Sequence, residues 1–193
     1  MPQPSVCIQT PLGNLEFLTE SADSPTIGAC IHAALFQPEI PPGMSVLACY
    51  GVVLQVDAPN IVSDLKFKAI LKPNSKINGG AATGEGLEAQ DWNNQNWVIL
   101  VGTEDLEYLK ARLHHSIIFP DFPFIYSAES LSIHIAKIPA GESVSLHFVV
   151  AWNALPEAVE SSCWFAVDQS HISILSAVGA NPAFKRDALK RAP

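Results

Sequence analysis

Residues 143–153 read SVSLHFVVAWN. Val144, Leu146, Phe148, Val150 and Trp152 fall on one side of an extended chain. Ser143, Ser145, His147, Val149 and Ala151 fall on the other. A period of two, carried by β-branched and aromatic residues, predicts a β-strand with one buried face. The same alternation appears upstream. SLSIHIA (130–136) aligns Leu131, Ile133 and Ile135, and DLKFKAIL (64–71) sets Leu65, Phe67, Ala69 and Leu71 against Asp64, Lys66 and Lys68. SVCIQ (5–9), WVILVG (97–102), CWFAV (163–167) and HISIL (171–175) read as further strands.

One helix is expected near 104–113. Thr103 can cap it, Glu104 and Asp105 suit its positive end, and Leu106, Leu109 and Leu113 form an apolar stripe. A second helix is expected in the tail, with Asn181 as cap and Pro182 in its first turn. The fold class is therefore mainly β: a β-sandwich or jelly-roll-like body with little helix. The alternative is a pair of βαβββ modules, the arrangement of the glyoxalase-like fold. The strand–helix order of 97–113 is compatible with it, but the first half has no clear helix and no metal-ligand pattern.

The strand at 143 follows IPAGESV (138–144), and IPPGMSV (40–46) precedes another apolar run, LACYGVVLQV. IHAA (31–34) and IHIA (133–136), NLEFL (14–18) and DLEYL (105–109) recur in the same order, offset by about half the chain. A duplication explains that order. Pro-Gly turn chemistry recurring before strands explains the closest match equally simply. The resulting division is a β-rich half over 1–75, a Gly/Asn-rich linker or loop over 76–96, a second β-rich half over 97–180 and a tail over 181–193. The halves can also pack as one compact domain.

The chain has 193 residues, 48% of them apolar, and a formal net charge of −8. It can bury a core, and its charge opposes phosphate backbones, so nucleic acid is not an expected partner. The basic residues Lys185, Arg186, Lys190 and Arg191 gather in the tail. No stretch approaches the roughly 18 apolar residues of a membrane span, and MPQPSVCIQT lacks the basic start and apolar run of an export signal. Cys7, Cys30, Cys49 and Cys163 form no C-x-x-C pair. They read as reduced thiols, and the expected location is cytoplasmic.

Few residues point to chemistry. A hairpin turning at Pro139–Glu142 would pair Ile138 with Ser143 and set His134 opposite His147, with β-carbons roughly 4.5–5.5 Å apart. Those two histidines are the candidate metal ligands. PAGESVSLH (139–147) resembles part of the first cupin motif, a glycine with a histidine six residues on. The second histidine of that motif would be Val149, and no Pro-x-Gly-x-x-His follows, so the resemblance implies no metal-dependent cupin reaction.

QDWNNQNW (90–97) places Trp92 and Trp97 among amides, a composition suited to stacking on a sugar ring. IIFPDFPFIY (117–126) interleaves aromatic residues with Pro120 and Pro123, and the prolines forbid a central strand. It reads as an extended apolar loop that caps the core, lines a pocket or meets another subunit. Trp92, Trp97, Phe122, Phe124 and Tyr126 are the candidate ligand-binding residues. No catalytic residue is identified, and no cofactor motif is present. The sequence thus favours a non-enzymatic binding or assembly protein that forms a homo-oligomer or meets a protein partner. The alternatives are an enzyme or small-molecule binder with a pocket between sheets, and a carbohydrate-binding module.

Overall fold

The computed structural model describes residues 4–21, 28–84 and 86–179. Among these residues eleven strands and three short helices occur in the order β1 (Ser5–Thr10), β2 (Gly13–Glu20), β3 (Gly28–Leu35), β4 (Ala48–Asp57), β5 (Val62–Pro73), β6 (Asn78–Gly84), β7 (Leu87–Asn93), β8 (Trp97–Glu104), α1 (Leu106–Arg112), β9 (Phe124–Tyr126), β10 (Ser130–Ile138), β11 (Ser143–Ala154), α2 (Ser162–Val167) and α3 (His171–Ala177). They build two antiparallel sheets packed face to face. One has the order β1-β2-β5-β10-β9 and the other β3-β4-β11-β8-β7-β6. The mainly β sandwich expected from the alternation is what forms. Among the described residues no helix is long and apolar enough to cross a membrane.

The core lies between the sheets, and the period-two faces supply it. Leu65, Phe67, Ala69 and Leu71 of β5, Leu131, Ile133 and Ile135 of β10, and Val144, Leu146, Phe148 and Val150 of β11 are all buried there. The opposite face of β11 is buried as well. Cys49, Val53, Val149 and Ala151 form a second apolar cluster with Cys163, Ala166, Val167, Ile174 and Leu175. The helices α2 and α3 lie over β4, β8 and β11 on that outer face.

Both covering helices come from segments whose sequence reads as strand. In HISIL the residues that go inward are His171, Ile174 and Leu175, the spacing of a helical turn. Ser170 caps α3, its hydroxyl accepting from the Ser173 amide. Five residues are too few to separate the two periods, and packing onto the sheet decides. The first helix is Leu106–Arg112, but Asp105 caps it by accepting from the Tyr108 amide. Thr103 stays in β8 and donates its hydroxyl to the His147 carbonyl, 2.7 Å away. The expected helix at Asn181 falls outside the described residues.

The span 76–96 was expected to carry no strand. It holds β6 and β7, which pair with each other. The glycines that hide the pattern make the pairing possible: a Cβ on Gly79 would stand 2.7 Å from the Trp92 ring, and one on Gly84 would stand 2.7 Å from Trp164. Bare backbone lets the indoles come this close to β6.

The recurring segments have a turn in common and little else. Met44 N–H bonds to the Pro41 carbonyl and Glu142 N–H to the Pro139 carbonyl, with Gly43 at φ +87° and Gly141 at φ +83°. Each is a four-residue turn whose third position requires positive φ. Beyond the turns the places differ. β3 and β4 are neighbours in one sheet, whereas β10 and β11 lie in different sheets. NLEFL is strand and DLEYL is capped helix. Strands of 1–75 and 97–180 pair in both sheets, β4 with β11 and β5 with β10.

Candidate functional sites

The outer face of the six-stranded sheet and the helix above it carry the one group of three metal-ligating side chains among the described residues, Glu104 of β8, His147 of β11 and His171 of α3. The β11–β8 ladder pairs Val149 with Gly102, and the same register two residues on sets His147 opposite Glu104. Both side chains therefore leave the outer face of the six-stranded sheet. The start of α3 brings His171 over the same point. His147 Nδ1 lies 2.9 Å from His171 Nδ1 and 3.7 Å from Glu104 Oε1. From the last turn of α1, Arg112 reaches Glu104, its Nε 3.0 Å from Oε1 and its Nη2 in contact with the same oxygen.

The cluster is closed over. His147 is 1% exposed and His171 6%. Burial pushes the His147 imidazole down to about 4; Glu104 opposes that shift and Arg112 adds to it. Burial, then Arg112 and His147, hold His171 well below the ordinary imidazole range. Both rings are neutral at pH 7, so the approach of His147 to Glu104 is not an ion pair. The contact between the two Nδ1 atoms shares a single proton, and His171 Nε2 has no hydrogen-bond partner in the protein.

His134 does not belong to this cluster. It sits on β10 opposite Lys66 of β5, its Nε2 3.0 Å from Asp64 Oδ1. The hairpin that would pair it with His147 does not form, because the turn at Gly141 carries the chain from one sheet to the other. The apolar faces of β10 and β11 do meet, but across the sandwich rather than side by side. Parity along the two strands allows either arrangement. Of the expected pair only His147 joins a ligating group. Glu104 and His171 were missed as ligands, since one was assigned to a helix start and the other to a strand.

The aromatic candidates separate into buried and exposed. Trp92 is fully buried and its indole N–H donates to the Ala128 carbonyl at 2.9 Å, out of reach of a ligand. Trp97 is half-buried against the core. Phe124 and Tyr126 also pack on the core, and the Tyr126 hydroxyl donates to Glu88. Phe122 is 84% exposed, with Ile118 at 51% and Ile125 at 42% on the same segment.

The four thiols are free, Cys7 and Cys30 exposed, Cys49 and Cys163 buried. Burial pushes the Cys49 thiol up to about 12 and, with Glu157 beside it, raises Cys163 as well. Thiolate is the reactive form. A disulfide-exchange reagent at pH 8 is therefore expected to modify two thiols per chain in the folded protein and four after unfolding. Stability has a matching pH dependence. Above the ordinary thiol value of 9.0 the unfolded chain releases a proton that folded Cys49 keeps until about 12. Stability then falls across that window, by about 1.4 kcal/mol per pH unit for this thiol. Urea midpoints measured from pH 9 to 11 are expected to fall less steeply in Cys49→Ala than in the parent.

No protein-family model matches the chain, and no curated protein matches it. Among solved structures it is similar to one described as a kojibiose phosphorylase from human microbiome, with 8% identity and a TM-score of 0.41. That match covers 91% of this chain and 21% of the other, so the chain spans about a fifth of its length. Similarity this low assigns neither family nor activity.

Proposed function

We propose that this β-sandwich is a binding or assembly protein whose contact surface is the strip 117–126, and that its partner is a second copy of the chain. The observation that carries the reading is the outward apolar face of that strip. Ile117, Phe119, Phe124 and Tyr126 turn to the core, while Ile118, Phe122 and Ile125 point away from it and stay exposed. The protein's own core uses one side of the segment and leaves the other uncovered.

The strip lies along β10. His134 N–H bonds to the Pro123 carbonyl and Ala136 N–H to the Ile118 carbonyl. Pro120 and Pro123 lack N–H groups, so contact through side chains is favoured over addition of another strand. The strip holds one charged residue, Asp121, in a chain of net charge −8, which makes it a face where two copies can meet with little repulsion. An enzyme would need an open polar cleft, whereas the polar cluster lies under helices. A sugar platform built on Trp92 and Trp97 loses its first member to burial.

Sedimentation velocity is expected to give a dimer for the parent and a monomer for Phe122→Asp, with unchanged thermal unfolding at low concentration. A parent that stays monomeric at hundreds of micromolar overturns the reading.

A further inference from the structure

We infer that Glu104, His147 and His171 form a divalent-metal site of two imidazoles and one carboxylate, which fastens the C-terminal helices to the six-stranded sheet. The inference is independent of the assembly reading. It rests on three donor atoms from three elements that lie within 4.8 Å of one another. Donors held about 2.0–2.2 Å from one zinc ion lie roughly 3–4 Å apart. The separations of 2.9 Å between the imidazole nitrogens and 3.7 Å from His147 to the carboxylate are of that size.

The donor inventory points the same way. Two Nδ1 atoms and Glu104 Oε1 converge with one imidazole proton among them. Lone pairs brought together out of water are costly unless a proton or a cation sits among them. Arg112 contacts Glu104 Oε1 through Nε and Nη2 and gives the imidazoles no hydrogen bond, its charge instead disfavouring their protonation. It acts as a positioning residue, holding Glu104 toward the histidines as outer-shell partners of metal ligands do.

The ligand set also narrows the ion. Imidazole with carboxylate and no thiolate suits zinc, cobalt(II) or nickel(II), and imidazole argues against calcium and magnesium. Cys49 of β4 and Cys163 of α2 lie in the same apolar layer but are not among the clustered atoms. Two ligands belong to the sheet, on β8 and β11, and the third to α3. Binding would tie the covering layer to the strands beneath it, an attachment that otherwise depends on Ile174, Leu175 and their apolar neighbours.

The test is a titration of the chelator-stripped full chain with zinc chloride and with cobalt(II), read by calorimetry and by the visible absorption of cobalt. The expected result is one ion per chain at micromolar affinity or tighter, with the absorption bands of four-coordinate cobalt and a higher unfolding temperature in zinc. His147→Asn and His171→Asn are expected to weaken binding about 100-fold or more. The double variant His114→Ala/His115→Ala, at the surface pair where the rings lie 4.2 Å apart, is expected to bind like the parent. Absence of stoichiometric binding to the parent overturns the inference, even if the asparagine variants do not fold. Equal binding in every variant also overturns it, and so does loss confined to the His114/His115 variant.

Discussion

Phe148→Ala is expected to lower the unfolding free energy by about 3–5 kcal/mol, the range for truncating a buried phenylalanine that its neighbours cannot collapse upon. Phe148 is fully buried at the middle of β11. Its ring centroid lies 4.8 Å from that of Phe67 and 5.8 Å from that of Phe17. Phe17 and Phe67 belong to β2 and β5 of the five-stranded sheet, so this triad is where the two sheets meet. Strands cannot move inward to fill the space, because each is hydrogen-bonded on both sides. Phe148→Leu keeps most of the volume and should cost markedly less. Urea unfolding with the slope held common between variants checks both values. A cost below about 1.5 kcal/mol for the alanine would mean that the sheets are not packed through this triad.

Arg112→Leu is expected to cost about 3 kcal/mol in chelator-containing buffer. The Glu104 and Arg112 side chains are only 11% and 15% exposed. Removing the guanidinium leaves a carboxylate in a site that offers it two neutral imidazoles and little water. Breaking one side of a buried pair costs more than the pair contributes, because the remaining charge has lost its partner. The double variant Arg112→Leu/Glu104→Leu is therefore expected to recover at least half of the loss. If the double variant is as unstable as the sum of the two single ones, the pair is not acting as a unit.

Some of this molecule is determined by the sequence alone. Where a strand is long and buries one face against the other sheet, the burial repeats every second residue and can be read directly. β5, β10 and β11 are such strands, and the inward faces assigned to them are the ones the sandwich buries. The Pro-Gly turns are equally local, since positive φ at Gly43 and Gly141 needs only the glycine and the preceding geometry. The asymmetry of 117–126 also depends on its own composition, as the prolines confine it to the margin of a sheet.

The tertiary structure decided the rest, for three physical reasons. Alternation says which residues share a face but not which strand lies alongside, so His134 and His147 can be assigned the same parity and still end up in different sheets. Short apolar runs fit both periods. HISIL becomes helix because Ile174 and Leu175 find a sheet to pack on and Ser170 closes the first turn. Small residues carry no pattern at all. β6 exists because Gly79 and Gly84 make room for indoles contributed by β7 and α2. The metal-ligating group combines all three effects. Glu104 ends β8 instead of starting a helix, His147 turns outward from the core, and His171 arrives on a helix that reads as a strand. Their convergence follows from strand register and from how the helices cover the sheet, both set by contacts between residues distant in sequence.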